Sequence, residues 1–326
     1  MQPEPGTWVL VVPPGRYDEA LAPLIAAHER TRAVRIVTLP DHRPPTGESW
    51  RRWLEGSAGA LLVGDRRYAP RSALPGPFIP DRVGRLVPVG WLPDVGQSRL
   101  VAFASSAARV VGRRGPVGPV VVMGQWEPRY LALATRLVRN LDQLAAPPSV
   151  FHWTADRITR DDLARALGAG PGMGVYFGHG RPRGWAGYHG LRAHHLLETP
   201  GEPLGALLSM TCRTASRWNT GLSFSESVVL GGAAAAAVGA VAPVRHLLNM
   251  RWMLGLVAAL EAGEAEVGPA LLRAAPPSDL HGSGYRIIGD PLAPLIGDPM
   301  AERRARAVWA PAPDSIASWH EGEAAG

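Results

Sequence analysis

The stretch Gly174–Trp185, GVYFGHGRPRGW, places a histidine between two glycines directly after a short apolar run. A run of this length and composition is typical of a buried strand. Ligands of open α/β sheets bind beyond the carboxyl ends of the strands, so His179 is predicted to lie where a substrate binds. The alternative is that His179 only occupies a turn. A functional role therefore requires a second reactive group at the same edge.

The next predicted strand supplies such a group. It is Ala206–Met210, within EPLGALLSMTC, and the one cysteine of the chain, Cys212, follows it. Two successive parallel strands that lie side by side bring imidazole and thiol to one edge. A neighbouring imidazolium favours the thiolate that attacks a carbonyl carbon, and Arg213 adds positive potential. A single cysteine is also often a small buried apolar residue, and that alternative stays open.

Apolar runs alternate with amphipathic segments along the chain, which predicts an α/β fold with a mostly parallel sheet between helices. Proline and aspartate between Arg66 and about Gly96 predict a loop-rich stretch. We expect an α/β subdomain at residues 1–115, a second at 116–308 and a disordered tail at 309–326. Further predicted strands are Thr7–Val12, Ala33–Leu39, Ala58–Asp65, Gly118–Gly124 and the alanine-rich Ala233–Val241.

Composition narrows the class of protein. Of 326 residues, 46% are hydrophobic and 19% charged, as in ordinary globular proteins. The 34 basic residues, all arginine, are spread along the chain, whereas nucleic-acid-binding surfaces concentrate them in patches. No apolar run is long enough to span a bilayer, and the N-terminus lacks the features of a secretory signal. We therefore expect a cytoplasmic protein that binds neither nucleic acid nor membrane.

Several motifs together resemble gingipain-type cysteine peptidases of the caspase-like group. In that family one strand ends in Gly-His-Gly, and the next ends in a small residue followed by the catalytic cysteine. A Phe-small-Glu helix start and a Gly/Ala-rich strand follow, as in SFSESVVLGGAAAAAVGA, and a Gly-Asp-Pro turn comes near the end, here Gly289–Pro291. In the first half, GALLVGDRRYAP resembles the family's strand ending in Val-Gly-Asp. The resemblance extends over most of residues 7–298.

The resemblance implies a caspase-like three-layer α/β/α architecture in two subdomains, the second of them catalytic. It implies that Cys212 is the nucleophile, that His179 is the general acid and base, and that the amides of Gly180 and Cys212 form the oxyanion hole. Glu127, in the loop GQWEPRY, is expected to orient His179, although an ordinary surface glutamate fits that position equally well. No cofactor and no metal are expected, and the substrate is a protein or peptide.

The expected substrate site is basic and departs from the pattern of arginine-specific relatives. Where such a relative carries an acidic residue in its specificity pocket, this chain has Tyr130 or a neighbour. A basic pocket prefers an acidic side chain before the scissile bond, so cleavage after Asp or Glu is expected; arginines that face only solvent are the alternative. The residues expected to bind substrate are Arg181, Trp185, Arg213, Arg245 and His246, with Arg183 beside them.

Other functions are less well supported by the sequence. A metal-dependent hydrolase would use His179, His189, His194 and His195, but no spacing among them suits one face of a helix or strand. The pair His194–His195 is better explained as a helix cap or as facing water. A catalytically silent caspase-like protein that binds a partner would need neither histidine nor cysteine at these strand ends. A peptidase that waits for an activating protein partner fits the sequence as well.

Overall fold

In the computed structural model, which describes residues 6–15, 17–199, 201–280 and 284–309, eleven strands form one mixed sheet within those ranges. The strand order is β2-β1-β3-β5-β13-β12-β11-β8-β6-β7, with β4 paired to β5. A separate hairpin consists of β9 and β10. The strands are β1 Thr7–Val12, β2 Val34–Thr38, β3 Ser57–Asp65, β4 Phe78–Pro80, β5 Leu86–Asp94, β6 Val120–Gly124, β7 Val150–His152, β8 Met173–Phe177, β9 Gly180–Arg181, β10 Gly184–Trp185, β11 Leu204–Met210, β12 Ala234–Ala240 and β13 Tyr285–Gly289.

Two groups of helices flank the sheet. In one group α4 contacts α1 and α9, and both α4 and α9 contact β12. In the other group α10 contacts α5 and α11. The helices are α1 Tyr17–Glu29, α2 Gly47–Trp53, α3 Pro70–Ala73, α4 Gln97–Val111, α5 Pro128–Asp142, α6 Arg160–Leu167, α7 Gly187–Gly190, α8 Ala193–Leu197, α9 Phe224–Leu230, α10 His246–Glu261, α11 Val267–Ala274 and α12 Ala301–Trp309, with a 3₁₀ turn at Pro277–Asp279.

The central strands are apolar because both of their faces are covered. Every residue of β8, β11 and β12 is buried, which explains why these segments read as continuous apolar runs without alternation. The predicted α/β class with a mostly parallel sheet is confirmed, and so is the parallel pairing of β8 with β11. This pairing positions the candidate site.

The direction of the strands reverses in the middle of the sheet. β12 pairs antiparallel with β13, and β13 pairs parallel with β5. β11 and β8 run parallel to β12, so the turn that follows β13 lies at the edge of the sheet opposite to the carboxyl ends of β8 and β11. The boundary predicted at residue 115 falls between α4 and β6, and the sheet is continuous across it through β13.

The prediction of a loop-rich stretch between Arg66 and about Gly96 is wrong. This segment contains α3, β4 and the nine-residue β5, which is an interior strand of the sheet. Pro88 is tolerated because it lies opposite Phe78 of β4, ahead of the residues that pair with β3 and β13. A proline inside a central strand removes a ladder donor, so the sequence argued against this strand. The predicted tail, residues 309–326, lies outside the described residues except for its first residue.

Candidate active site

The candidate histidine lies in a glycine-flanked turn at the carboxyl end of β8. A Cβ atom on Gly178 would come within 2.1 Å of the Tyr176 hydroxyl, and one on Gly180 within 2.4 Å of the Cys212 carbonyl oxygen. No side chain fits at either position. The His179 amide donates to Oε1 of Gln125 at 2.8 Å. These contacts fix the backbone on both sides of the histidine while its ring remains 52% exposed.

The candidate nucleophile lies beside this turn. Phe177 of β8 pairs with Met210 of β11, so His179 and Cys212 each follow a paired position by two residues. The Thr211 hydroxyl donates to the Gly178 carbonyl at 2.6 Å, which holds the two strand ends together. The structure thus brings both residues to one edge, as the sequence predicts.

The Cys212 sulfur is half-buried and has a backbone donor. The Val244 amide donates to Sγ at 3.4 Å, and the same residue's carbonyl lies 3.7 Å from Sγ. Val244 lies two residues before α10 begins at His246. The backbone of Val244 thus holds the sulfur in place beside the start of α10.

The two nitrogens of the His179 ring have different neighbours. Nε2 lies 3.4 Å from Oε1 of Glu127 and 2.9 Å from Nη2 of Arg129, and those two side chains form an ion pair at 2.9 Å. A protonated Nε2 donates to Glu127, and an unprotonated Nε2 accepts from Arg129. Nδ1 lies 3.5 Å from the Tyr130 hydroxyl. The surroundings therefore offer a partner to each protonation state of the ring.

Tyr130 joins the parts of the site. Its ring packs edge-on against His179 at 5.4 Å and His246 at 6.0 Å between centroids. Burial raises the pKa of Tyr130; the Arg129 charge opposes this, and Glu127 and Cys212 add smaller increases. The hydroxyl is thus held in its protonated form at neutral pH. Sequence reasoning mentioned Tyr130 only as a possible specificity position, because nothing local marks an aromatic residue in the first turn of a helix as part of a site.

The residues expected to bind substrate do not all remain candidates. The prediction that Trp185 binds substrate is wrong. Its side chain is fully buried, its ring stacks on that of Tyr176 with 4.1 Å between centroids, and its Nε1 donates to Ser209 Oγ at 2.9 Å. A tryptophan enclosed in this way supports the turn from below and cannot touch a substrate.

The basic candidates are accessible. Arg181 and Arg245 are exposed. Arg213, directly after Cys212, has a φ of 60°, which is a strained conformation for a residue other than glycine. Its guanidinium lies 4.2 Å from the centroid of Trp218, whose ring is 58% exposed. The cysteine is thus followed by a strained residue whose cation is held over an aromatic ring.

The sequence pattern of peptidase family C25 matches residues 135–301, slightly more than half of the chain and including His179 and Cys212. The chain belongs to peptidase family C25. Its members are cysteine peptidases, so this C25 chain is a hydrolase. The match confirms the resemblance to gingipain-type enzymes that the motifs indicate. No curated protein sequence matches the chain significantly.

Solved structures show the same fold at low sequence identity. The Arg-specific cysteine proteinase gingipain R (RgpB) superposes with a TM-score of 0.69 over 90% of this chain and 79% of its own, at 13% identity. The complex of the pro- and mature domains of Porphyromonas gingivalis RgpB gives 0.68 over 89% and 80%, at 14% identity. A structure described as a protease gives 0.64 over 88% and 78%, at 14% identity.

A buried carboxylate anchors the loop that carries Cys212 in this C25 chain. Glu226, at the start of α9, has no exposed surface and accepts from Arg217 at 2.8 Å and from Trp91 Nε1 at 2.9 Å. It also completes a capping box with Ser223. Arg217 in turn donates to the carbonyl of Arg66. The Phe-small-Glu pattern was the sequence signal for Glu226, but only the fold shows that it holds residues 211–223 against β5.

The alternative sites find no support in the described residues. Within the described ranges no cluster of three or more histidine, cysteine or acidic side chains could hold a metal ion. His195 caps α8, because its Nδ1 accepts from the Arg192 amide at 2.9 Å. None of the helices described is both long and apolar enough to cross a membrane.

Proposed function

We propose that this C25 peptidase is an endopeptidase in which Cys212 is the nucleophile and His179 is the general acid and base. The observation that carries the proposal is the pairing of β8 with β11, whose ends are held together by the bond between Thr211 and Gly178. Accessible imidazole and half-buried sulfur at one edge are what a thiol nucleophile with a neighbouring base requires.

The reaction follows from these two side chains. The Cys212 thiolate attacks the carbonyl carbon of the scissile bond and forms a tetrahedral intermediate with a negatively charged oxygen. His179 then donates a proton to the leaving nitrogen, the C–N bond breaks, and a thioester remains on the enzyme. His179 next removes a proton from water, which attacks the thioester and releases the second product together with the thiolate.

The amides of Gly180 and Cys212 are proposed to stabilise the oxyanion. The Cys212 amide donates no hydrogen bond within the described part of the chain, so it is free to donate to a substrate oxygen. The close contact of Gly180 with the Cys212 carbonyl supports a shared site. Removing one such donor typically costs a factor of about 10²–10³ in rate.

Glu127 is proposed to orient the ring of His179. Its Oε1 lies 3.4 Å from Nε2, on the ring nitrogen opposite to the one that faces Tyr130. This leaves Nδ1 for proton exchange with thiol, leaving group and water. The neighbouring Arg129 competes for the same carboxylate, so the effect of Glu127 is modest.

Cleavage after Asp or Glu is proposed for the specificity of the enzyme. Arg213 lies in the loop that begins at Cys212, and Arg245 and His246 lie at the start of α10. The guanidinium of Arg213, already held over Trp218, offers a charge-assisted contact to a substrate carboxylate.

An electrophilic peptide probe tests the catalytic assignment. We expect covalent labelling of the parent protein, none of Cys212→Ala, and labelling at least 100-fold slower for His179→Ala. Mass spectrometry of the labelled peptide identifies the modified residue. Labelling that persists in Cys212→Ala would exclude the proposed nucleophile.

A peptide library tests the specificity. Hydrolysis after Asp or Glu is expected, and Arg213→Gln is expected to reduce kcat/KM for those peptides by about tenfold. Arg139→Gln, which makes the same charge change at an exposed position near the far end of α5, serves as the control. A preference for Arg or Lys before the cleaved bond would contradict the proposal.

A further inference from the structure

Two neighbouring cavities meet at residues 220–222, in the last part of the loop that carries Cys212. They measure about 570 and 760 Å³ and share Gly221, Leu222 and Ser227. We call the two together the basic groove. Its basic residues are Arg66, Arg67, Arg99, Arg183, Arg192 and His194, and its other lining residues are Val95, Ala193, Leu197, Thr220, Gly221, Leu222, Phe224 and Ser227.

Most of the positive charge of the basic groove has no carboxylate partner in the part of the chain that the structure describes. None of its lining residues is acidic. Arg67 forms an ion pair with Asp65, but Arg66, Arg99 and Arg183 have no carboxylate partner among the residues that the structure describes. Several positive side chains in one concave surface repel one another and attract an anionic ligand.

Two polar atoms in the groove lack hydrogen-bond partners. Nη1 of Arg192 and the hydroxyl of Thr220 are both buried without a partner in the described part of the chain. Unpaired buried polar groups are rare in folded proteins, so each of these two atoms marks a missing hydrogen-bond acceptor. A carboxylate can accept from a guanidinium or from a hydroxyl.

The groove also has apolar lining residues beside its cations, which favours a polypeptide over an inorganic anion or nucleic acid. Leu222 lines both cavities, and Leu197 is 40% exposed. A peptide segment with acidic and apolar side chains matches this combination of cations and apolar surface. A phosphate chain would satisfy only the cations.

The groove is connected to the candidate active site through the backbone. The hairpin β9–β10 starts at Gly180, beside Cys212, and the Phe224 amide donates to the Pro182 carbonyl in this hairpin at 2.7 Å. A bound polypeptide can therefore extend from the catalytic edge along the hairpin to the groove.

We propose that the basic groove binds an acidic segment of the protein substrate, remote from the scissile bond. The proposal rests on the proposed function, because it takes the ligand to be part of the substrate. It adds a second recognition site that short peptides do not reach. The groove then affects the affinity for long substrates and leaves the chemical step unchanged.

The test compares two double variants on two substrates. Arg66→Gln with Arg99→Gln removes two groove cations, and Arg139→Gln with Arg303→Gln removes two exposed cations elsewhere. For a substrate with a remote acidic segment, the groove variant is expected to raise KM about tenfold with unchanged kcat. Hydrolysis of a short peptide and the behaviour of the control variant should stay within twofold of the parent. Equal KM values for all three proteins on the long substrate would overturn the proposal.

A binding measurement separates this proposal from the catalytic one. A fluorescent acidic peptide is titrated into Cys212→Ala protein, with and without the groove substitutions, and fluorescence anisotropy is recorded. Saturable binding that weakens about tenfold in the groove variant supports the groove even if no peptidase activity is found. Absence of binding or preferential binding of a single-stranded oligonucleotide would exclude a substrate exosite. Activation of short-peptide hydrolysis when the acidic peptide is added to the parent protein would exclude it as well.

Discussion

Two histidine–carboxylate pairs lie at opposite edges of the same sheet, and they share their functional groups but differ in how far solvent reaches them. His28 and Asp290 lie 2.9 Å apart with neither side chain exposed, and His179 and Glu127 lie 3.4 Å apart with 52% and 34% of their side chains exposed. In the first pair, His28 belongs to α1 and Asp290 directly follows β13. In the second pair, His179 follows β8 and Glu127 directly precedes α5.

The buried pair is enclosed by packing, and Asp290 accepts hydrogen bonds from several neighbours. Asp290 accepts from Trp8 Nε1 at 3.2 Å and from the Leu292 amide at 3.1 Å, and the Trp8 ring stacks on His28 at 4.3 Å. These residues come from β1, α1 and the turn after β13, so the pair ties the start of the chain to its end. No substrate can reach it.

The exposed pair has the freedom that the buried pair lacks. Its histidine can meet solvent, and Arg129 and Tyr130 offer alternative partners. Proton transfer requires a ring that can gain and lose its proton without exposing an unpaired charge inside the protein. A histidine beside a carboxylate is therefore a candidate for proton transfer only where its ring is accessible.

The largest expected effect is the loss of the exposed histidine. His179→Ala is expected to lower kcat/KM by about 10²–10⁴-fold, because it removes the proposed general acid and base. The free energy of unfolding should change by no more than about 0.5 kcal/mol. Peptide hydrolysis and urea denaturation measure the two quantities, with His42→Ala as an exposed-histidine control. Activity within tenfold of the parent would mean that the two pairs do not differ in function.

The buried pair should give the opposite result. Asp290→Ala leaves His28 without its partner and is expected to cost about 3–5 kcal/mol in the free energy of unfolding. Activity per folded molecule should remain unchanged, because the pair lies at the other edge of the sheet. Denaturation and active-site titration check this, and Asp290→Asn, which keeps a polar group, should lose less. A loss below 1 kcal/mol would contradict the assigned structural role.

Acid should destabilise the protein through the buried pair. Burial by itself raises the pKa of Asp290, but the His28 charge and hydrogen bond, the Leu292 amide and Arg32 together hold that pKa below its ordinary value. A carboxyl with a lowered folded pKa stabilises the fold above its unfolded pKa of about 3.9 and loses this contribution as the pH falls through the folded pKa.

We therefore expect stability to fall below about pH 4, by about 1.4 kcal/mol for each pH unit of difference between the folded and unfolded pKa. Urea midpoints measured from pH 7 to pH 3 give this slope. Asp290→Asn should show a shallower slope, and Glu127→Gln should follow the parent. Identical slopes for parent and Asp290→Asn would remove Asp290 from the explanation.

The smallest effect is expected at the exposed carboxylate. Glu127→Gln loses an exposed ion pair worth about 0–1 kcal/mol, so kcat should fall about fivefold or less with unchanged stability. Glu261→Gln, at an exposed position at the end of α10, is the matched control in the same kinetic measurement. A loss of 100-fold or more would show that Glu127 does far more than orient the ring.

The sequence predicted the elements whose character is local. Buried runs such as Ala206–Met210 and glycine-flanked His179 indicate strands and strand ends by themselves, and parallel neighbours then bring His179 and Cys212 together. β5 was missed because Pro88 and Pro93 are signals of loops. Only its neighbours on both sides explain why a strand forms there.

The alternation of strands and helices, and the placement of imidazole and thiol after two successive strands, follow from local sequence patterns, because burial periodicity and turn residues act over a few neighbouring positions. Which histidine is enclosed, why Trp185 cannot meet a substrate, and how arginines from distant elements form one groove follow from the folded arrangement alone. These outcomes depend on contacts between segments far apart in the chain, and no short-range pattern records them.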